Sequence, residues 1–232
     1  MLQISDLDVY HGNSQTLKGM SLSVHPGEVL CLLGRNGAGK TTTLRAIMGL
    51  IPARAGSIML DDKELTALSP HEVPRRGIGY VPQGRRLFSE LTVRENLEIG
   101  LMTRNSPRTV LDEALVLFPR LQERMPQVSG TLSGGEQQML ATARAMCVDP
   151  SVILLDEPTE GLMPSMIATI REVIVALRSR GKAILLVEQR VEAVLSVADR
   201  VCFMENGKAQ AVVPVQALRD DPSLLGRYVG VG

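Results

Sequence analysis

Residues 34–41 have the residue types and the spacing of a phosphate-binding loop. They read Gly-Arg-Asn-Gly-Ala-Gly-Lys-Thr, which fits the pattern G-x-x-x-x-G-K-[ST]. Glycines let backbone N–H groups surround phosphate oxygens, and a following helix adds partial positive charge at its N-terminus. Lys40 is expected to reach the β- and γ-phosphates of a nucleotide, and the Thr41 hydroxyl to hold Mg²⁺. An ordinary glycine-rich turn without a ligand is the alternative. The expected nucleotide contacts are Gly34, Arg35, Asn36, Gly37, Ala38, Gly39, Lys40, Thr41 and Thr42.

A pair of carboxylates follows a second apolar run. Val152–Leu155 leads directly into Asp156 and Glu157. A carboxylate at the end of a buried strand can position Mg²⁺, and we assign that task to Asp156. Glu157 alternates to a different direction, where it could polarise a water molecule as a general base. Taken alone this pattern also fits a solvated strand end, so the assignment depends on the phosphate loop.

These groups require a parallel sheet to bring them together. Val29–Leu33 is a continuous apolar run, typical of a strand buried on both faces, and a helix over Lys40–Met48 follows the glycine-rich turn. Strands alternating with helices predict a largely parallel sheet with ligands at the carboxyl ends of its strands. The fold class is therefore α/β. The other predicted strands are Leu2–Val9, Leu17–Val24, Ser151–Leu155 and Lys182–Val187, and helical patterns cover Val110–Phe118, Glu136–Cys147 and Met166–Leu177.

Composition narrows the class of protein. The chain has 232 residues, of which 44% are hydrophobic and 22% are charged, and this is ordinary globular composition. Its 25 basic and 25 acidic residues cancel, so no global basic field predicts a nucleic-acid partner. Three widely separated cysteines in no ligand spacing are expected to be buried free thiols in a reducing compartment. No apolar run reaches the roughly 18 residues of a membrane helix, and the N-terminus lacks the features of a signal peptide.

A further motif identifies a family resemblance. Residues 132–138 read Leu-Ser-Gly-Gly-Glu-Gln-Gln and lie before Asp156. With the phosphate loop, Gln83 and the acidic strand in the same order, this resembles the signature of ABC-type ATPases over essentially the whole chain. The resemblance implies a P-loop NTPase fold of the ABC type, with a mostly parallel core, an N-terminal antiparallel portion and an inserted helical subdomain. We expect one domain over 1–232, with 1–83 and 150–232 as the catalytic core and 84–149 as the helical subdomain.

The resemblance also implies further site residues. In the family, two subunits sandwich two ATP molecules head to tail, so the signature contacts a nucleotide bound to the partner chain. Backbone amides at the start of a helix suit that task physically. Gln83 is carried over as a residue that senses Mg²⁺ or the attacking water, with Thr41 and Asp156 as the other metal-site residues. The signature residues carried over as nucleotide contacts are Ser133, Gly134, Gly135 and Glu136.

Three positions are ambiguous or depart from the family pattern. An aromatic residue that stacks on adenine usually lies just before the position of Gly12, and here either Tyr10 or His11 fits. The usual histidine after the strand Ala183–Val187 is replaced by Gln189, which can donate a hydrogen bond but carries no charge. Gln189 is therefore expected to contact the γ-phosphate more weakly. Met163 replaces a usual aspartate.

The chain also resembles a narrower group, the smaller ATPase subunit of branched-chain amino acid importers. The segments that carry this resemblance read Pro-Gln-Gly-Arg-Arg-Leu-Phe over 82–88, Gly-Leu-Met-Pro over 161–164 and Leu-Val-Glu-Gln over 186–189. The resemblance implies an ATP-hydrolysing subunit, with ATP and Mg²⁺ as cofactors, at the cytoplasmic face of the membrane. Its partners would be two permeases, a second ATPase chain and, indirectly, a solute-binding protein, with a homodimer possible in isolation. Importers of urea or short-chain amides, a soluble non-transport ABC ATPase and a non-hydrolysing regulatory subunit are the alternatives. The resemblance also implies that the transported solute does not bind to this chain.

Overall fold

The computed structural model describes residues 1–221 and 223–229 and contains two β-sheets. The smaller sheet has the strand order β2-β1-β4-β5, and all its pairings are antiparallel. This is the expected N-terminal antiparallel portion. The hairpin between its first two strands turns at residues 12–13, where Gly12 has a positive φ. The strands of this sheet are β1 (Leu2–His11), β2 (Ser14–Val24), β4 (Ala53–Leu60) and β5 (Lys63–Glu64).

The larger sheet carries the core of the fold. Its strand order is β10-β9-β3-β8-β7-β6; all neighbouring pairs are parallel except the pair of β9 with β10 at one edge. The expectation of a mostly parallel core is therefore confirmed. The strands of this sheet are β3 (Val29–Leu33), β6 (Ile78–Val81), β7 (Val152–Asp156), β8 (Ala183–Val187), β9 (Arg200–Glu205) and β10 (Lys208–Pro214).

Helices cover the sheets and fill the middle of the chain. The predicted helix after the phosphate loop ends one residue early, at Ile47, and the helix predicted over residues 136–147 begins earlier, at Gly134. The helices described are α1 (Lys40–Ile47), α2 (Val93–Arg104), α3 (Arg108–Leu117), α4 (Pro119–Glu123), α5 (Gly134–Met146), α6 (Pro164–Ser179), α7 (Val191–Val197), α8 (Val215–Asp220) and α9 (Ser223–Val229).

The three central strands β3, β7 and β8 are buried at every residue and separate two apolar cores. Alternate side chains face opposite sides of the sheet. Cys31 and Leu33 join the core that contains α5 and α6, whereas Leu30 and Leu32 join the core shared with β1 and β2. Each such fully buried leucine contributes about 1.5–3 kcal/mol of burial free energy. Burial on both faces holds these strands in place. The functional side chains project from the carboxyl ends of the strands.

Residues 84–149 hold the four helices α2–α5 and donate no strand to either sheet among the described residues. Helix α5 packs on α2, α3 and α4, and the apolar core between them includes Leu140 and Ala143 of α5 and Phe118, which lies between α3 and α4. The three cysteines are buried free thiols, as predicted from their spacing. Among the described residues no helix combines the length and the apolar character needed to cross a bilayer.

Candidate functional site

The phosphate loop joins the end of β3 to the start of α1 and is tightly packed from behind. A Cβ atom placed on Gly34 would lie 2.3 Å from the carbonyl oxygen of Met204, so only glycine fits there. Gly39 is the N-cap residue of α1 and has φ of 106°, a left-handed conformation that glycine adopts without strain. Ala38 is buried, and its carbonyl oxygen accepts a hydrogen bond from Gly207 N at 3.0 Å. The loop conformation is therefore set by backbone contacts with β9 and its following turn.

Lys40 lies at the centre of this loop, with its ammonium group directed back along it. The side chain is only 5% exposed, and Nζ donates hydrogen bonds to the carbonyl oxygens of Gly34 at 2.7 Å and Arg35 at 3.0 Å. Burial lowers the pKa of Lys40, while the nearby carboxylates of Glu157 and Asp156 oppose that shift. The ammonium group is thus held at the floor of the loop, where its positive charge can attract an anion bound in the loop.

Asp156 ends β7 beside the phosphate loop, and its two carboxylate oxygens have different surroundings. Oδ1 accepts a hydrogen bond from the Thr41 hydroxyl at 3.0 Å. Oδ2 is buried and accepts no hydrogen bond from any residue that the structure describes. Burial raises the pKa of Asp156, and the hydrogen bond from Thr41 opposes this. A buried carboxylate oxygen without a partner, beside a threonine hydroxyl, is a donor set that suits Mg²⁺.

Glu157 leaves the line of β7 and lies beside Gln189. Its φ of 51° is in the left-handed region, which is uncommon for a residue with a side chain, and its backbone N–H donates to Val187 O at 2.9 Å. This turn, rather than strand alternation, gives Glu157 its direction. Its carboxylate oxygen Oε1 accepts a hydrogen bond of 2.5 Å from the Gln189 side-chain amide. The structure thus joins the ends of β7 and β8 through these two side chains.

Gln83 follows β6, and its side-chain amide donates a hydrogen bond to Glu160 Oε2 at 2.9 Å. These residues and the phosphate loop line one cavity of about 440 Å³. The cavity brings together predicted residues from four separate segments. Its lining residues are Thr16, Asn36, Gly37, Gly39, Lys40, Thr41, Thr42, Gln83, Glu157, Glu160 and Gln189.

Two lining residues, Thr16 and Glu160, had no predicted role. Thr16 lies on β2, where its hydroxyl donates to Val9 O at 3.1 Å. This strand packs directly against the phosphate loop, where a Cβ placed on Gly39 would lie 3.3 Å from Thr16 O, and no local sequence pattern encodes that contact. Glu160 follows Glu157 by three residues. Its acidic side chain so close in sequence to Asp156 is the one feature that could have indicated a place in the site.

Neither Tyr10 nor His11 lines this cavity, although both lie at the hairpin end of β1, close to Thr16 in the strand pairing. Tyr10 is half-buried, and the Arg54 guanidinium lies 4.2 Å from its ring centroid. One face of the Tyr10 ring is therefore engaged in a cation–π contact. His11 is exposed. The choice between them as the adenine-stacking ring stays a prediction.

The signature residues form the N-terminus of α5. Ser133 is the N-cap, and its hydroxyl accepts a hydrogen bond from Glu136 N at 3.4 Å, while Glu136 Oε2 accepts one from Ser133 N at 3.0 Å. This capping box leaves the amides of Gly134 and Gly135 without intrahelical partners. Ser133 and Gly134 are exposed, and none of the four signature residues lines the cavity at Lys40. The signature therefore presents free amides to a different surface of the same chain.

Arg85 connects the segment after Gln83 to the signature. Its guanidinium lies against Gly134, where an added Cβ would approach it to 3.1 Å, and its Nη1 donates to Gln137 Oε1 at 3.1 Å. Arg85 and Arg86 both have positive φ values, 66° and 49°, so the segment adopts an unfavourable backbone conformation here. The segment that carries Gln83 is thus attached to the helix that carries the signature.

Comparison with known proteins identifies similar ATP-binding proteins of transporters. The ABC transporter family profile matches residues 17–160. The chain is 42% identical over 232 residues to the high-affinity branched-chain amino acid transport ATP-binding protein BraG of Pseudomonas aeruginosa, covering 99% of this chain and 100% of that protein. It is 37% identical over 211 residues to the probable branched-chain amino acid transport ATP-binding protein LivF of Archaeoglobus fulgidus, covering 90% and 89%.

Solved structures resemble the fold over nearly its full length. The ADP conformation of MJ1267, an ATP-binding cassette of an ABC transporter, superposes with a TM-score of 0.84 at 28% identity, covering 100% of this chain and 99% of that one. A dimeric post-hydrolysis state of the cassette MJ0796, bound to ADP and Pi, superposes with a TM-score of 0.82 at 25% identity, covering 93% and 99%.

Proposed function

This chain belongs to the ABC transporter family of ATP-binding proteins, and we propose that it binds and hydrolyses ATP to energise amino-acid import through a membrane transporter. The observation that carries the proposal is the convergence of Lys40 and Glu157 at one cavity, with Asp156 hydrogen-bonded at 3.0 Å to Thr41 of the same cavity lining. The cargo class, branched-chain or other hydrophobic amino acids, is proposed from the names of BraG and LivF. Those names and the near-complete coverage favour this cargo over urea or short-chain amides.

ATP binding would use the phosphate loop. Its glycines expose backbone amides, and the Lys40 ammonium is held where the β- and γ-phosphates would lie. The residues that would hold Mg²⁺ are Thr41, Asp156 and Gln83; the ion would neutralise phosphate charge when bound. The unpartnered Oδ2 of Asp156 supports this assignment. Tyr10 or His11 would stack on the adenine ring.

Hydrolysis would depend on Glu157. Its carboxylate lines the cavity and accepts the hydrogen bond from Gln189 at 2.5 Å. A carboxylate in this place can orient a water molecule and take its proton as the water attacks the γ-phosphorus. Gln189 would hold Glu157 in position and donate to the γ-phosphate. Because Gln189 is neutral, it would supply orientation rather than countercharge.

A second ATPase chain would complete each site. Ser133, Gly134, Gly135 and Glu136 lie away from the cavity of their own chain and present free amides at a helix N-terminus. The γ-phosphate held by one chain would bind these amides of its partner. Nucleotide binding would then close the dimer, and hydrolysis would remove contacts that hold it closed. The partner would be a sister ATPase chain in the transporter, with self-pairing in isolation.

The membrane partners would dock beside the helical region. A groove of about 260 Å³ lies between β6 and helices α2 and α5, and its lining includes Tyr80, Ile99 and Phe88. Phe88 is 49% exposed, whereas Val93 nearby in the sequence is fully buried in the core. An exposed aromatic side chain at an apolar groove fits a helical segment of a permease. Two permeases would thereby hold the ATPase pair at the cytoplasmic face, with a solute-binding protein acting on the far side.

Purification of the tagged chain from membranes of its native host tests this function. We expect two permeases and a second ATPase chain to co-purify, and purified complexes to hydrolyse ATP. Uptake of labelled leucine should fall in cells that carry Lys40→Ala, although the same partners should still be recovered. Recovery with ribosomes or nucleic acid instead would contradict the transport role. Normal leucine uptake with the Lys40→Ala chain would contradict the energising role.

A further inference from the structure

A buried carboxylate that the proposed chemistry does not use lies at the end of β8. Glu188 is 3% exposed, and no lysine or arginine forms an ion pair with it among the described residues. Burial of a carboxylate without a countercharge costs several kcal/mol unless hydrogen bonds replace its water. Glu188 therefore needs a compensating set of donors.

Two residues supply these donors. The Thr159 hydroxyl donates to Glu188 Oε1 at 2.6 Å, and the Thr159 backbone N–H donates to the same oxygen at 3.3 Å. The Gln189 backbone N–H donates to Oε2 at 3.3 Å. Burial raises the pKa of Glu188, whereas the hydrogen bonds from Thr159 and Gln189 oppose that shift. Oε1 thus fastens the segment after β7 to the segment after β8, whereas Oε2 accepts from the next residue of its own segment.

The two fastened segments are the ones that hold the proposed catalytic pair. Thr159 follows Glu157 by two residues, and it is itself only 3% exposed. Gln189 donates from its side chain to Glu157 Oε1 at 2.5 Å. A closed ring of contacts results, from Glu157 along the chain to Thr159, through Glu188 to Gln189, and back to Glu157.

We propose that Glu188 is a positioning residue for ATP hydrolysis, which fixes Glu157 relative to Gln189 by bonding Thr159 and the Gln189 backbone. This inference rests on the proposed function. We call the hydrogen bonds of Glu188 to Thr159 and to the Gln189 backbone the Glu188 clamp. Misplacement of a reacting group by about 1 Å can lower a rate about 100-fold, so loss of this clamp can lower the rate of hydrolysis strongly. The clamp acts on turnover and leaves the nucleotide-binding loop unchanged.

The carboxylate is the functional group that this geometry requires. An ionised carboxylate only accepts hydrogen bonds, so both of its oxygens can face N–H or O–H donors. A glutamine of the same shape presents one NH₂ group, which must face either the Thr159 donors or the Gln189 amide. Glu188→Gln therefore loses one side of the clamp with little change in volume.

The test compares kcat and KM for MgATP in the purified full-length chain and its variants. Glu188→Gln and Thr159→Val should each lower kcat about 10-fold while KM changes less than about twofold. Thr159→Ser keeps the hydroxyl and should restore kcat to within about twofold of the original chain. Because the two residues act as one unit, the double variant should be no slower than the slower single variant.

A matched control separates catalysis from stability. Thr142 is a second buried threonine, on α5, and its hydroxyl donates to Gln138 O at 2.9 Å. Thr142→Val should lower the melting temperature without lowering kcat. Unchanged kcat in folded Glu188→Gln and Thr159→Val, or a loss through KM alone, would overturn the inference. If the unaltered chain, with its sister chain supplied, hydrolyses no ATP, the proposed function itself fails.

Discussion

The phosphate loop (residues 34–41) and the signature turn (residues 132–136) have the same local backbone design, but different side chains surround them. Each is a glycine-containing turn at a helix N-terminus that presents backbone amides. Around the phosphate loop the fold gathers Gln83, Glu157 and Gln189 from three strand ends into one cavity. Around the signature, the chain adds two arginines: Arg85 lies against Gly134, and Arg124 forms an ion pair with Glu136 at 2.7 Å. We propose that the first region supplies the residues that bind and hydrolyse ATP, and that the second completes the corresponding site of a partner chain.

The largest expected effect is on ATP hydrolysis at the cavity beside the phosphate loop. Glu157→Gln removes the proposed base while keeping the side chain's shape. We expect ATP hydrolysis at least about 100-fold slower than in the unaltered chain, because a positioned base contributes about 10²–10⁴-fold. ATP binding, measured by calorimetry, should stay within about twofold. Near-normal turnover in this variant would remove Glu157 from the base role.

Loss of Lys40 should act on binding in the same region. Lys40→Ala removes the buried ammonium group at the floor of the loop. The Kd for ATP should rise at least about 10-fold, since charge-assisted contacts to phosphate contribute about 1.5–3 kcal/mol. Lys18→Ala, which alters an exposed lysine on β2, serves as the control and should leave Kd unchanged. An equal Kd for the Lys40→Ala chain would contradict the phosphate-binding role.

The signature turn should respond differently, and α2 offers a control of the same design. Thr92 and Glu95 form a capping box like that of Ser133 and Glu136. Ser133→Ala and Thr92→Ala should each cost about 1 kcal/mol of unfolding free energy. Only Ser133→Ala should lower kcat, by about 10-fold, with Kd for ATP on the isolated chain unchanged. A weaker Kd in Ser133→Ala would place the signature within the site of its own chain.

The smallest effect concerns the pH dependence of the capping boxes. The hydrogen bond from Ser133 lowers the pKa of Glu136 in the folded chain, and that from Thr92 does the same for Glu95. Such stabilisation is present above the unfolded pKa of about 4.3 and is lost as pH falls through the lower folded pKa. The stability gap between the unaltered chain and Ser133→Ala, measured by urea unfolding, should therefore narrow below about pH 4.3. A gap independent of pH would contradict this account.

The elements that carry the site followed from the sequence because their signals are local. The continuous apolar run at Val29–Leu33 gave the bounds of β3, and the glycine-rich pattern located the start of α1. Gly181 has a positive φ just after α6, which is typical of a glycine that ends a helix. Burial on both faces of a parallel strand and glycine at a left-handed position are constraints that a short stretch of sequence can express.

The contacts that complete the site did not follow, because they depend on how distant segments meet. The bond of Glu188 to Thr159 spans 29 positions of the chain. The bond of Gln83 to Glu160 spans 77 positions, and the cation–π contact of Arg54 with Tyr10 joins separate strands. Side-chain directions at such loops are set by sheet order and by the left-handed turn at Glu157, which no periodicity encodes.

The most direct test of a site shared between chains is the mass of the Glu157→Gln chain in solution, measured by sedimentation with and without MgATP. Slow hydrolysis in this variant keeps ATP bound, so the account predicts a dimer with MgATP and a monomer without nucleotide. Adding Ser133→Ala to Glu157→Gln should weaken the dimer while ATP binding remains. A chain that binds MgATP with full affinity yet stays monomeric, alone and with its sister ATPase chain present, would contradict the central claim.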